Sequence, residues 1–238
     1  MNQSSSKPTS PVTAGLASLL ISAFAGVGFL ILSPPIPQDE NYHLFADHRS
    51  ILGIPNLWNV ISNFPFALVG LLGLRRFSDL TSRVLFAGVL LTAFGSGYYH
   101  LYPNDATLVW DRLPMTLVFM PLVVLVISRW MGTAWGHRMQ WPLVLFGIGS
   151  VLWWRAEGDL RLYAIAQFGP ALLLLPAFWF DRIIRRLWPA AAFYALAKIL
   201  ETLDGGIYAA LPVSGHTLKH LAAGLATYWI FRWRRMLT

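Results

Sequence analysis

His216 and His220 open the last apolar segment of the chain, four residues apart. His100 closes an earlier apolar segment, with Ser96 four residues before it, and Asp111 begins the segment that follows. Positions i and i+4 of a helix share a face, about 6 Å apart along its axis, so both late imidazoles can reach one ion. Three histidine nitrogens with a fourth position left for water form the ligand set of a catalytic zinc site, where the pKa of the bound water falls to about 7. Asp111 is then the candidate to accept that water's proton and pass it to a leaving group. Ser96 is the candidate donor to an oxyanion forming at a carbonyl. Two other readings of the histidines stay open: a hydrogen-bonded polar network, or haem ligation by His100 with one of the later pair, which leaves the other idle. Ser96, between Gly95 and Gly97, also fits a small-residue packing site.

The elements that must position these residues are apolar. Of 238 residues, 56% are hydrophobic and 12% charged, and mean hydropathy is +0.54. A soluble surface needs roughly 25% charged residues, so this chain uses lipid as solvent. The net charge of +7 does not imply nucleic acid, because the charges sit in short clusters between apolar runs and no nucleic-acid motif is present. With no cysteine, disulfides and thiolate metal sites are excluded.

A polar Ser/Pro-rich tail over 1–12 precedes eight apolar runs, near 13–33, 56–74, 83–101, 107–128, 141–155, 161–180, 187–203 and 214–232. Most are long enough to span a hydrocarbon core of roughly 30 Å. The expected fold is an all-α integral membrane bundle of about eight helices: an N-terminal anchor over 13–33, then a seven-helix domain over 34–238. The fifth run is short, and Pro114, Pro121, Pro170 and Pro176 predict kinks. One set of run ends carries Lys7, Arg75, Arg76, Arg83, Arg129, Arg138, Arg182, Arg185, Arg186, Arg232, Arg234 and Arg235; the opposite loops hold Arg49, Arg155 and Arg161. The positive-inside rule then places both termini in the cytoplasm. His100, Asp111, His216 and His220 all fall at one depth on the non-cytoplasmic side, an agreement that the histidine spacing did not require.

At these residues a resemblance enters. Gly95-Ser96-Gly97-Tyr98-Tyr99-His100, Trp110-Asp111-Arg112-Leu113-Pro114-Met115 and His216-x-x-x-His220 resemble the alkaline ceramidase family, within the CREST transmembrane hydrolases that also include the progestin and adiponectin receptors. Asn59 and Ser62-Asn63, after Trp58, look like that family's first core helix. The resemblance covers roughly 38–232 and leaves the first helix as an extra. It implies a seven-helix core and zinc on His100, His216 and His220. It also implies Asp111 as acid/base, Ser96 as oxyanion or zinc-water partner, and hydrolysis of an N-acyl sphingoid amide to a fatty acid and an amine. It further implies a calcium site in an acidic segment before the first core helix. Asp39, Glu40 and Asn41 resemble part of that segment, and the later ligand position falls on Asn56.

Lys198, Glu201 and Asp204 lie on or near the seventh core run, where unpaired charge is expensive. Lys198 and Glu201 are i,i+3 and can pair. Glu201 or Asp204 is placed to orient a liganding imidazole, while Lys219 is expected to point away from the histidine face. The leading expectation is a zinc-dependent hydrolase of a membrane N-acyl lipid. The alternative is a receptor-like lipid-binding protein with a structural metal. A transporter is a third reading, without an inverted repeat to support it.

Overall fold

The computed structural model describes residues 11–237 and is an all-α membrane bundle; no strand occurs among the described residues, only an isolated bridge between Ile51 and Ile54. Its helices are α1 (Pro11–Leu32), α2 (Leu57–Ile61), α3 (Phe64–Arg76), α4 (Leu80–Leu101), α5 (Asp105–Met131), α6 (Thr133–Glu157), α7 (Arg161–Phe180), α8 (Trp188–Thr202), α9 (Asp204–Ala210) and α10 (Gly215–Arg235). Residues 1–10 of the expected polar tail lie outside the described residues. Five stretches are long and apolar enough to cross a membrane: Val12–Leu32, Leu57–Arg76, Leu80–Leu101, Asp105–Met131 and Arg161–Phe180.

Three details depart from the sequence reading. The run over 56–74 is two helices, because Pro65 has no N–H to carry the helical ladder across Ser62-Asn63. The fifth run is not short: α6 begins at Thr133, with polar His137, Arg138 and Gln140 in its first turns. A further short helix, α9, follows α8 directly, turning at Leu203. Pro114 and Pro121 sit within α5 without ending it.

α4 packs along α3 and α5, α5 along α6, and α10 along α8 and α3. α1 lies outside, against α7 and α5, and shows Ile21, Phe24, Ile31 and Leu32 to its surroundings. The larger apolar core, which includes Phe86, Leu122, Trp130, Leu187 and Trp233, fills the end of the bundle away from the histidines. There Arg129 and Trp130 both donate to the buried carboxylate of Asp181, tying the end of α5 to the end of α7. A smaller core of Phe45, Tyr99, Leu108, Val151, Trp154 and Tyr163 lies at the histidine end.

A candidate metal centre at one end of the bundle

Each histidine is set by local chemistry. α10 starts with Ser214, whose hydroxyl accepts the Thr217 N–H at 3.1 Å. The His216 N–H, left without an intrahelical partner at a helix start, donates to Asp204 at 2.7 Å. The other oxygen of that carboxylate accepts the Ala46 N–H at 2.9 Å. Asp204 thus fixes both the first turn of α10 and the loop over it. His100 lies in the last turn of α4, and its carbonyl accepts from the Asn56 side chain at 2.8 Å. α4 and α5 approach closely because Pro114 frees the Trp110 carbonyl, which lies against Gly95; a Cβ there would come within 1.9 Å of that oxygen. This contact brings Ser96 toward Asp111, and both side chains line one cavity.

The three imidazoles converge. One ligand nitrogen from each of His100, His216 and His220 lies within 4.8 Å of the others, and all three residues are buried. Among the described residues this is the group of three or more His, Asp or Glu side chains placed to hold a metal ion. His100 Nε2 and His220 Nε2 are 3.2 Å apart. Two nitrogens bound tetrahedrally to one zinc at about 2.0–2.1 Å would be about 3.3 Å apart, so the pair already has ligand spacing. The protonation pattern agrees. Ser62 donates its hydroxyl proton to the Asn59 carbonyl at 3.0 Å, so it must accept from His220 Nδ1 at 2.7 Å. The Nε2 of His220 therefore keeps its lone pair and faces its neighbours, as a ligand requires. Asn59 also accepts from Thr217 at 2.7 Å, locking α2 against the first turns of α10.

Phe45 covers the outer side of the triad, 4.7 Å from the ring of His100 and 4.6 Å from that of His216. Its loop is held by Asp204, by the Asp47–Arg49 pair at 2.7 Å, and by His43 between Tyr99 and Asp105. The hydrogen bond from Arg49 keeps the Asp47 carboxyl below its ordinary pKa.

On its other side the triad meets a cavity of about 340 Å³. Ser96, Asp111, Arg112, Lys198, Glu201, Lys219 and His220 line its polar end, and Leu122, Leu174, Phe178, Leu187 and Ile230 its far end. From His220 to Ile230 the helix rises about 15 Å, so the cavity is a deep apolar channel with one charged end.

Lys219 corrects an expectation. It does not point away: its Nζ is 3.4 Å from His216 Nε2, and it donates to Glu201. Positions 216 and 219 are i,i+3 and so share a face. The expected Lys198–Glu201 pair is present. Asp204 acts on the backbone of His216 rather than on its ring.

Asp39, Glu40 and Asn41 form an exposed turn in which Asp39 caps its own loop through the Asn41 N–H. Asn56, in left-handed conformation at φ 50°, puts its amide on the His100 carbonyl. Phe45 lies in a loop and gave no signal as a site residue in the sequence, and Arg112, a cation within a helix, stood in the Trp110–Met115 motif with no role of its own.

Fold and site together define an all-helical membrane protein with a buried three-histidine centre able to hold a metal ion. Comparison of the sequence with protein-family models and with curated proteins gives no match.

Proposed function

We propose that the chain is a zinc-dependent membrane hydrolase that cleaves the amide bond of an N-acyl lipid, releasing a fatty acid and an amine. One observation carries this reading: three converging buried imidazoles, two of them at ligand spacing, share with Asp111 and Ser96 the charged end of an apolar channel. The resemblance to the alkaline ceramidase family points the same way. Imidazole donors suit zinc among the available divalent ions. Bound there, zinc would acidify a water and polarise the scissile carbonyl.

The chain's own residues do the rest. The apolar walls from Val118 to Ile230 take the acyl chain. Asp111 takes the proton of the attacking water and returns it to the departing nitrogen as the C–N bond breaks. The water oxygen ends in the fatty acid. Ser96, lining the same cavity, is placed to orient the Asp111 carboxylate. Phe45 shields the triad from the outer loop side, which leaves the bilayer as the route for substrate. Exposed Phe168 and Leu175 on α7 line the same cavity and mark an opening toward lipid, crossed by the Gln167–Tyr194 hydrogen bond at 2.9 Å. The excess of Lys and Arg at one set of run ends supports cytoplasmic termini with the histidines on the opposite face.

Purified protein should release palmitate from N-palmitoyl lipids. Asp111→Asn should keep its zinc and lose about 10²–10⁴-fold in rate, the range of a general acid–base group. Full activity in that variant would remove Asp111 from the chemistry. Specific lipid binding with no turnover in the zinc-loaded wild type would favour a receptor-like protein instead.

A further inference from the structure

The charged end is unbalanced. Arg112, Lys198 and Lys219 face it, against two carboxylates, Asp111 and Glu201. Glu201 is fully engaged: it accepts from Lys198 on one oxygen, and from Lys219 and Tyr42 on the other. Asp111 forms no ion pair among those of the described residues. Arg112 is only 6% exposed and forms no ion pair among those of the described residues. Its guanidinium stacks 4.1 Å from the Trp154 ring and 4.8 Å from that of Tyr163. Stacking occupies the face of the group and leaves the in-plane N–H donors to find partners. Nη2 donates to Gln38 at 2.7 Å, while Nη1 is buried with no hydrogen-bond partner. A buried, unpaired arginine inside a membrane bundle is costly and marks a place for a counter-charge. Its rigid fork suits an oxyanion such as a carboxylate or phosphate.

We infer that Arg112, assisted by Lys219, binds an oxyanion on the amine half of the substrate, so that the enzyme acts on anionic N-acyl lipids rather than on neutral ones. This rests on the amidase reading and narrows it. The apolar channel takes the acyl chain, so the amine half stays at the charged end, where Arg112 lies next to Asp111 in sequence. The aromatic walls hold the guanidinium in place for that partner and exclude competing water.

The test is equilibrium binding to the full-length protein in detergent, with turnover followed in the same samples. The probes are N-palmitoylglycine, N-palmitoylethanolamine and palmitate. N-palmitoylglycine should bind about tenfold or more tightly than the neutral lipid, the gain from one buried hydrogen bond between charged groups. Arg112→Gln should abolish most of that preference by weakening N-palmitoylglycine binding about tenfold, and Arg112→Lys should retain part of it. Lys219→Met should weaken it while leaving the fold intact by thermal melting. Equal affinity for the two lipids, or a preference that survives both Arg112→Gln and Lys219→Met, would overturn the assignment. Palmitate showing the same Arg112 dependence would also overturn it, by moving the anion site to the product's carboxylate. A binding preference without hydrolysis would leave the anion site standing and remove the amidase. Hydrolysis of both lipids with equal efficiency would do the reverse.

Discussion

At the scale of single residues, the centre depends on groups that touch no substrate. Ser62 fixes the proton of His220 on Nδ1, and partners of this kind typically change metal affinity about 10–100-fold when removed. Ser62→Ala should therefore weaken zinc binding by about that factor, read by competition with a chromophoric chelator; unchanged affinity would show that the tautomer is set elsewhere. Ser96→Ala should cost less rate than Asp111→Asn, since it only orients the carboxylate. The convergence of the three histidines was legible in the sequence, because ionisable residues in apolar runs are few and their helical spacing is fixed. Phe45 was not, because nothing in a loop sequence says which side chain folds back over a site. Lys219 departs from its expected direction because it stands i,i+3 from His216 and so shares that residue's face.

At the scale of elements, the first turns of α10 are assembled by their neighbours. Asp204 accepts from His216 and Ala46, and Asn59 accepts from Thr217. Asp204→Asn should keep the helix but loosen both loop and triad. Zinc affinity should fall and amide exchange should rise around residues 43–47 and 214–217, and exchange that stays as slow as in wild type would contradict this linking role. The break between α2 and α3 was foreshadowed by Pro65. Its use was not legible: Ser62 and Asn59, at the interrupted turns, are what reach α10. α9 and the early start of α6 were missed because both begin in polar or glycine-containing sequence, where apolar periodicity gives no signal.

At the scale of the whole molecule, composition marks lipid as the solvent and the lengths of the apolar runs mark a helical membrane bundle, and the described helices follow that expectation. The far end of the bundle is tied by Asp181. Burial raises its carboxyl pKa, but the Arg129 guanidinium and the N–H groups of Ile184, Ile183 and Trp130 outweigh this and hold it below the ordinary value of 3.8. A depressed carboxyl stabilises the fold fully above about pH 4, and that contribution is lost as pH falls through the folded value. The melting temperature in detergent should therefore drop below about pH 4, and less steeply in Asp181→Asn. A metal held by the three histidines would add a second, separable contribution at the opposite end. A ligand at about a thousand times its Kd stabilises by about 4 kcal/mol, so chelation should lower the melting temperature and zinc should restore it. The most direct test of the whole reading is fatty acid release from an N-palmitoyl lipid by one protein sample, assayed as purified, after zinc removal and after zinc is returned. Release that disappears with the metal and recovers with it is expected. Release indifferent to zinc, or none from protein carrying a full equivalent of it, would contradict a catalytic zinc on His100, His216 and His220.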